Sequence, residues 1–178
     1  MAEQIIIAGF GGQGVMSMGQ LLTYAGMLEG KNVSWLPSYG PEMRGGTANC
    51  CVIISNDMVG SPIVTSATAV IALNRPSLDK FEDAVEPGGL LFINSSLIDR
   101  KAVRDDIQVF YIPANDIANE LGNSKIANTV MLGAYLAKVE NSVSVNGVLE
   151  ALKKVLGPSK LGLIPVNEEA LKQGALAI

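Results

Sequence analysis

One stretch near the N-terminus constrains this chain more than any other. Gln4 to Ala8 contains the β-branched run Ile5-Ile6-Ile7, and Gly9-Phe10-Gly11-Gly12-Gln13-Gly14 follows at once. A continuous apolar run of this length reads as a strand buried on both faces, as in a parallel sheet. Beyond the glycines, Val15, Met18, Leu22 and Ala25 recur at spacings of three and four, which predicts a helix to Leu28. Gly30 stands just past its end, where a left-handed residue closes helices. The chain therefore opens with a buried strand, a glycine turn and a helix.

The alternation continues. Strands are expected at Val33–Leu36, Ala48–Ser55, Ala69–Leu73, Leu90–Asn94 and Ile107–Ile112. A shorter strand at Met58–Val64 is expected to form a hairpin with Ala48–Ser55, with Gly60 and Pro62 making it an edge or a bulge. Pro76 opens a helix through Val85, ended by Pro87-Gly88-Gly89. Short helical signals run from Asn115 to Leu121. Longer ones run from Ser124 to Val139, from Ser144 to Gly157, and from about Asn167 onward. Strands alternating with helices predict a three-layer α/β/α sandwich with a largely parallel, Rossmann-like sheet. At 178 residues, without a linker or an internal repeat, residues 1–178 read as a single domain.

Composition narrows the function. There is no histidine, which excludes imidazole-based triads and histidine-ligated metals. The two cysteines are adjacent, Cys50-Cys51. On a strand they point to opposite faces, so they read as small core residues. No metal site and no catalytic residue is expected. Net charge is −4, and Lys and Arg are nowhere gathered, which argues against nucleic acid. No apolar run is long enough for a membrane span. The start, Met1-Ala2-Glu3-Gln4, lacks a basic leader, so a cytoplasmic protein is expected. Only 17% of residues are charged, which suggests that a partner covers part of the surface.

Three groups of residues stand out. Gly9, Gly11 and Gly14, with Gly12 and Gln13, match the G-x-G-x-x-G spacing between strand and helix. Such a loop aims backbone N–H groups and the helix dipole at a phosphate or carboxylate. The same glycines would also serve close strand–helix packing. A dinucleotide site needs an acid after the second strand, and Leu36-Pro37-Ser38 supplies none. No Gly-Lys-Ser/Thr makes a P-loop either.

The second group is the loop Ser38, Tyr39, Gly40, Pro41, Glu42, Met43, Arg44, Gly45 and Gly46. It is expected on the same carboxyl rim as the glycine loop. Arg44 could grip a carboxylate or phosphate bidentately, with Glu42 orienting it, or the two could form an ordinary local pair. The third is Asn128-Thr129 inside a predicted helix. There a poor helix former either faces a site or partner, or is solvated or locally hydrogen-bonded.

Together these motifs resemble a known family. Gly9-Phe10-Gly11-Gly12-Gln13-Gly14-Val15 resembles the opening of the gamma subunits of 2-oxoacid:ferredoxin oxidoreductases. So does Ser38-Tyr39-Gly40-Pro41-Glu42-Met43-Arg44-Gly45-Gly46-Thr47-Ala48. Gly60-Ser61-Pro62, Ala72-Leu73-Asn74 and Asn128-Thr129-Val130-Met131-Leu132-Gly133-Ala134 follow in the family's order, and the similarity extends to about Gly157. Trp35-Leu36-Pro37-Ser38-Tyr39 looks most like the 2-oxoglutarate or branched-chain 2-oxoacid members, beside which stand the pyruvate synthases.

The resemblance implies a holoenzyme that decarboxylates a 2-oxoacid on thiamine diphosphate. It would reduce ferredoxin through iron–sulfur clusters and form an acyl-coenzyme A. It implies that this chain binds none of these cofactors fully and is not catalytic alone. Its partners would be alpha and beta subunits, with delta as a further candidate, and ferredoxin indirectly. Gly9, Gly11, Gly12, Gln13, Gly14 and Arg44 become candidates for an anion, coenzyme A or subunit contact. Residues 38–46 and Asn128 become candidates for partner contact. The alternatives from other classes are a free-standing Rossmann-like anion- or nucleotide-binding module and a small independent transferase.

Overall fold

The computed structural model describes residues 2–40, 46–140 and 142–178. Six strands form one sheet in the order β2-β3-β1-β4-β5-β6. They are β1 Glu3–Phe10, β2 Asn32–Tyr39, β3 Thr47–Ser55, β4 Ala67–Ala72, β5 Val85–Asn94 and β6 Gln108–Ile112. The helices are α1 Val15–Leu28, α2 Arg75–Phe81, α3 Ala114–Glu120, α4 Ala127–Lys138, α5 Val145–Leu156 and α6 Ile164–Leu176. Helices α1, α3, α4, α5 and α6 cover one face, over a core that includes Ile5, Ile7, Met18, Val52, Phe92, Met131 and Tyr135. The other face carries α2 and irregular chain over Ile6, Ile53, Val70, Leu78, Leu91 and Ile93. This is the expected three-layer α/β/α sandwich, with one thin layer. No helix among the described residues is long and apolar enough to cross a membrane.

The sheet is parallel through β1-β4-β5-β6, but β3 runs antiparallel to both β1 and β2. The hairpin is therefore β2–β3, paired from Asn32↔Ser55 to Tyr39↔Ala48. It is not the hairpin expected between Ala48–Ser55 and Met58–Val64. Residues 58–64 form no strand. Gly60 and Pro62 deny them a ladder, the Ile63 N–H turns back onto Ser61 Oγ at 3.2 Å, and Val59 and Val64 pack onto the sheet's second face. β2 still points the same way as β1, with β3 between them, so their carboxyl ends share a rim.

Two other boundaries move. The helix from Pro76 stops at Phe81, a 3-10 turn spans Glu82–Ala84, and β5 starts at Val85. Pro87-Gly88-Gly89 thus lies inside a strand, at a register shift opposite Ala67 and Ala69. Gly88 has φ 78 there and its N–H donates to Asp106 O at 2.7 Å. Helix α6 begins at Ile164 rather than near Asn167, because Pro165 suits a first turn. Asn167 is then buried, accepts from Thr129 Oγ1 at 2.9 Å and donates to Leu163 O at 2.8 Å. Where α4 was expected to be capped by Ser124, Asn123 instead caps a 3-10 turn, Ser124–Ile126, that leads into it. The Ser144 cap of α5 is as read, its side chain accepting from Gly147 N–H. Glu29 Oε1 in turn accepts from both Ser144 N and Ser144 Oγ at 2.7 Å.

Candidate functional site

The site grows from the carboxyl end of β1. At Gly12 (φ 96) and Gly14 (φ 80) the chain takes left-handed turns that other residues enter only with strain. The turn brings the backbone round so that α1 starts at Val15, pointing away from the rim. Gly11 N–H donates to Gly46 O at 3.2 Å, and Gly40 N–H to Thr47 O at 2.8 Å. The first bond ties the glycine loop to the start of β3, and the second joins the end of β2 to the start of β3.

Between them lies a cleft of about 310 Å³. Its walls are Phe10, Gly11, Gly12 and Gly14–Ser17 on one side, and Tyr39, Gly40 and Gly46–Ala48 on the other. No acidic side chain stands in the first turn of α1. The first N–H groups of a helix have no acceptor within it and carry the positive end of its dipole. With glycines opening the approach, this cleft suits a phosphate or carboxylate.

The candidate residues separate on inspection. Gly11, Gly12, Gly14, Tyr39, Gly40 and Gly46 line the cleft. Ser38 lies on β2 with its side chain on the sheet face opposite that of Tyr39, since neighbours on a strand alternate. Pro41, Glu42, Met43, Arg44 and Gly45 lie outside the described residues. Gln13 turns inward: Oε1 accepts from Phe10 N at 2.6 Å and Asn74 Nδ2 at 3.0 Å, while Nε2 donates to Leu73 O at 3.4 Å. It braces the ends of β1 and β4. Gly9 leaves it room, since a Cβ there would sit 2.8 Å from Gln13 Oε1.

Asn128 is neither solvated nor locally bonded. It is buried in the first turn of α4, and its Nδ2 donates to Gly14 O at 3.3 Å, 114 residues away in sequence. It also lines a second, polar recess of about 120 Å³ with Gly12, Gln13, Leu73, Asn94, Asn115, Ser124, Lys125 and Ala127. The sequence reading missed Asn94, Asn115 and Lys125. The available signal was an asparagine closing the apolar strand Leu90–Asn94, because in parallel sheets such strand ends face the ligand crevice.

The cysteines divide as their alternation predicts. Cys50 is buried on the α1 face, where burial pushes its thiol up to about 12, and its Sγ contacts Val15 O at 3.6 Å. Cys51 is half-buried on the other face, its thiol also raised by burial. Among the described residues no three His, Cys, Asp or Glu side chains are grouped to hold a metal. An iron–sulfur cluster therefore has no ligand set on them.

Fold and site thus define a Rossmann-like α/β unit with an anion-suited cleft on its carboxyl rim. Residues 4–177 match the pyruvate ferredoxin/flavodoxin oxidoreductase family, and the chain belongs to it. It is 41% identical over 172 residues to a ketoisovalerate oxidoreductase subunit VorA of Methanothermobacter thermautotrophicus, covering 97% of this chain and 35% of that one. The chain thus spans about a third of the length of that subunit, and 36% of a second VorA, from Methanothermobacter marburgensis, to which it is 39% identical over 172 residues. It is 35% identical over 165 residues to a 2-oxoglutarate synthase subunit KorC of Methanothermobacter marburgensis, covering 89% of this chain and 88% of that one. Among solved structures, the gamma subunit of a keto/oxoacid ferredoxin oxidoreductase from Geobacter sulfurreducens superposes with TM-score 0.82 at 29% identity over 99% of each chain.

Proposed function

We propose that this chain is the gamma component of a 2-oxoacid:ferredoxin oxidoreductase, acting in the cytoplasm as one domain over residues 1–178. Its partners are alpha and beta chains, with delta as a further member, and ferredoxin is reached through them. The observation that carries this reading is the near end-to-end correspondence with the KorC subunit, 89% of one chain on 88% of the other.

In the assembled enzyme, coenzyme A accepts the acyl group, and thiamine diphosphate and iron–sulfur clusters belong to the other chains. This chain packs beside the thiamine site. Its own share is binding and orientation. The N–H groups of Val15, Met16 and Ser17 face an anion at the start of α1. Gly11, Gly12 and Gly14 let the anion's oxygens approach the backbone. Tyr39, Gly40 and Gly46 form the opposite wall, and Arg44 lies in the segment joining them. The reading makes the cleft a contact for a coenzyme A phosphate or for a partner carboxylate.

The test is purification of the native protein followed by titration. Co-purification with larger subunits, with 2-oxoacid-dependent ferredoxin reduction lost on removing this chain and restored on adding it back, is the expected result. Recovery of the native chain by itself, or full activity of the depleted complex, would overturn the proposal.

A further inference from the structure

The sheet ends at β2, whose outer side pairs with no strand among the described residues. Gly40 N–H donates to Thr47 O, one step beyond the pair Tyr39↔Ala48. Backbone groups alternate between the two sides of an antiparallel strand. The even-numbered residues of β2 therefore bond β3, and the odd-numbered ones face outward. Val33, Trp35 and Tyr39 present N–H and C=O groups along this edge, and Pro37 presents a carbonyl alone. Pro37 fits there, because no donor is owed to β3. Natural edges are blunted by charge, proline, bulges or covering chain. β2 has Pro37, but no charged residue from Asn32 to Tyr39 and no register shift in its ladder with β3.

The surface beside the edge is apolar. Gln20, Thr23, Tyr24 and Met27 of α1 form a groove of about 230 Å³ with Trp35. Met27 is 58% exposed, Tyr24 43%, Tyr39 59% and, on the thin side of the sheet, Leu36 39%. Together these four side chains leave roughly 400 Å² in solvent, about half of the ~800 Å² that each partner contributes to a standard interface.

The order of residues along β2 points to what covers it. Counting outward from Leu36, Trp35 and Pro37 come first, then Ser34 and Ser38, then Val33 and Tyr39. Each step is matched in chemistry, so the strand turned end over end about Leu36 meets itself. A two-fold axis there sets Leu36 against Leu36, Trp35 against Pro37, serine against serine and Val33 against Tyr39. Val33 N–H meets Tyr39 O of the second copy, Tyr39 N–H meets its Val33 O, and Trp35 N–H meets its Pro37 O. An axis at Trp35 would leave Tyr39 beyond the end of the opposing strand. No like charges are opposed. The axis also puts both α1 helices on one face of the joined sheet, with their Met27 flanks toward each other.

We infer that β2 is an interface between two copies of this chain, joining their sheets antiparallel about Leu36. The area exposed there makes the pairing reversible. The inference goes beyond the subunit role proposed above and does not rest on it.

The experiment uses the full chain, by sedimentation from about 1 µM to about 1 mM and by amide hydrogen exchange at both ends of that range. A dimer with a dissociation constant under about 1 mM is expected. At high concentration the Val33, Trp35 and Tyr39 amides should gain at least about tenfold protection. Those of Ser34, Leu36 and Ser38, already bonded to β3, should change little. Leu36→Lys and Leu36→Glu, at an exposed position, should each weaken the dimer at least about tenfold, because like charges meet on the axis. Mixing the two variants should restore pairing. A chain that stays monomeric to about 1 mM would overturn the inference. So would a dimer indifferent to both Leu36 substitutions, or one that leaves the Val33, Trp35 and Tyr39 amides open. Protection of these three amides that arises only when other subunits are added would assign the edge to a foreign strand, and would also overturn it.

Discussion

Asn128 occupies the space that a side chain on Gly14 would need. A Cβ built on Gly14 would lie 2.4 Å from Asn128 Nδ2 and 2.6 Å from its Cγ, while the same amide donates to Gly14 O. Two elements far apart in sequence are keyed together at the turn that aims α1. Gly14 is therefore fixed twice, by its left-handed backbone and by its neighbour, whereas Gly12 has open space where its Cβ would be.

The two glycines should accordingly separate in a stability measurement. Gly12→Ala carries only backbone strain and should cost about 1 kcal/mol. Gly14→Ala adds the clash and should cost about 2–4 kcal/mol. Pairing Gly14→Ala with Asn128→Ala should recover the steric part, bringing the double variant close to the sum of Asn128→Ala alone and the Gly12 penalty. Urea unfolding of the four chains checks this. Equal costs at Gly12 and Gly14 would show that Asn128 yields freely.

Glu82 anchors the chain that replaces a helix on the thin side of the sandwich. It is 3% exposed, and Oε1 accepts from Val103 N at 2.6 Å and Arg104 N at 3.2 Å. Oε2 pairs with Arg100 at 2.9 Å, and Arg100 also holds Asp79 at 2.6 Å. Glu82→Ala should destabilise the fold by about 2–5 kcal/mol, since it leaves the backbone N–H groups of Val103 and Arg104 unserved and leaves Arg100 only its pair with Asp79. Arg75→Ala, at a pair whose partners are both more than half exposed, should cost under about 1 kcal/mol. Thermal unfolding of both variants is the check.

The adjacent thiols should behave as unlike groups. Burial pushes Cys50 from 9.0 to about 12, and burial raises half-buried Cys51 less completely. Alkylation at pH 8 should modify Cys51 first and Cys50 only on unfolding, as peptide mass spectrometry would reveal. The sign of the stability effect follows. A Cys50 pKa raised in the folded state contributes stability below pH 9 that fades as pH rises toward about 12. Cys50→Ala should flatten that alkaline loss, and Cys51→Ala should change it less.

How much of this was legible in the sequence depends on how local the cause is. The β1–loop–α1 unit is readable because its signals are contiguous: a β-branched run, glycines, then a period of three and four. Helix α5 is readable for the same reason, with Ser144 at its start and Gly157 past its end. The reversal of β3 is not, because a strand buried on both faces has the same pattern in either direction. Pro87-Gly88-Gly89 reads as a helix stop, yet a bulge opposite Ala67 takes it into a strand. The pairing of Asn128 with Gly14 and the buried, unpartnered Oδ1 of Asn94 arise only when distant segments meet. In sequence they are single asparagines at element ends.

Arg44 belongs to the segment that joins Gly40 to Gly46 in sequence, and those glycines form one wall of the α1 cleft. As a planar group with five donors it matches a phosphate or carboxylate in a way that a lysine cannot. If it grips a desolvated partner carboxylate, Arg44→Ala should weaken assembly by about 2–5 kcal/mol, because the other charge is left unpaired. If it grips a phosphate of coenzyme A, assembly should hold while the Michaelis constant for coenzyme A rises by at least about tenfold. Arg44→Lys should be nearly as harmful in either case, since it keeps the charge and loses the fork. The measurement is titration of wild-type, Arg44→Ala and Arg44→Lys chains into complex lacking this subunit, following assembly and coenzyme A dependence together. A change under about 1 kcal/mol in both, the size of an exposed pair, would remove Arg44 from the site.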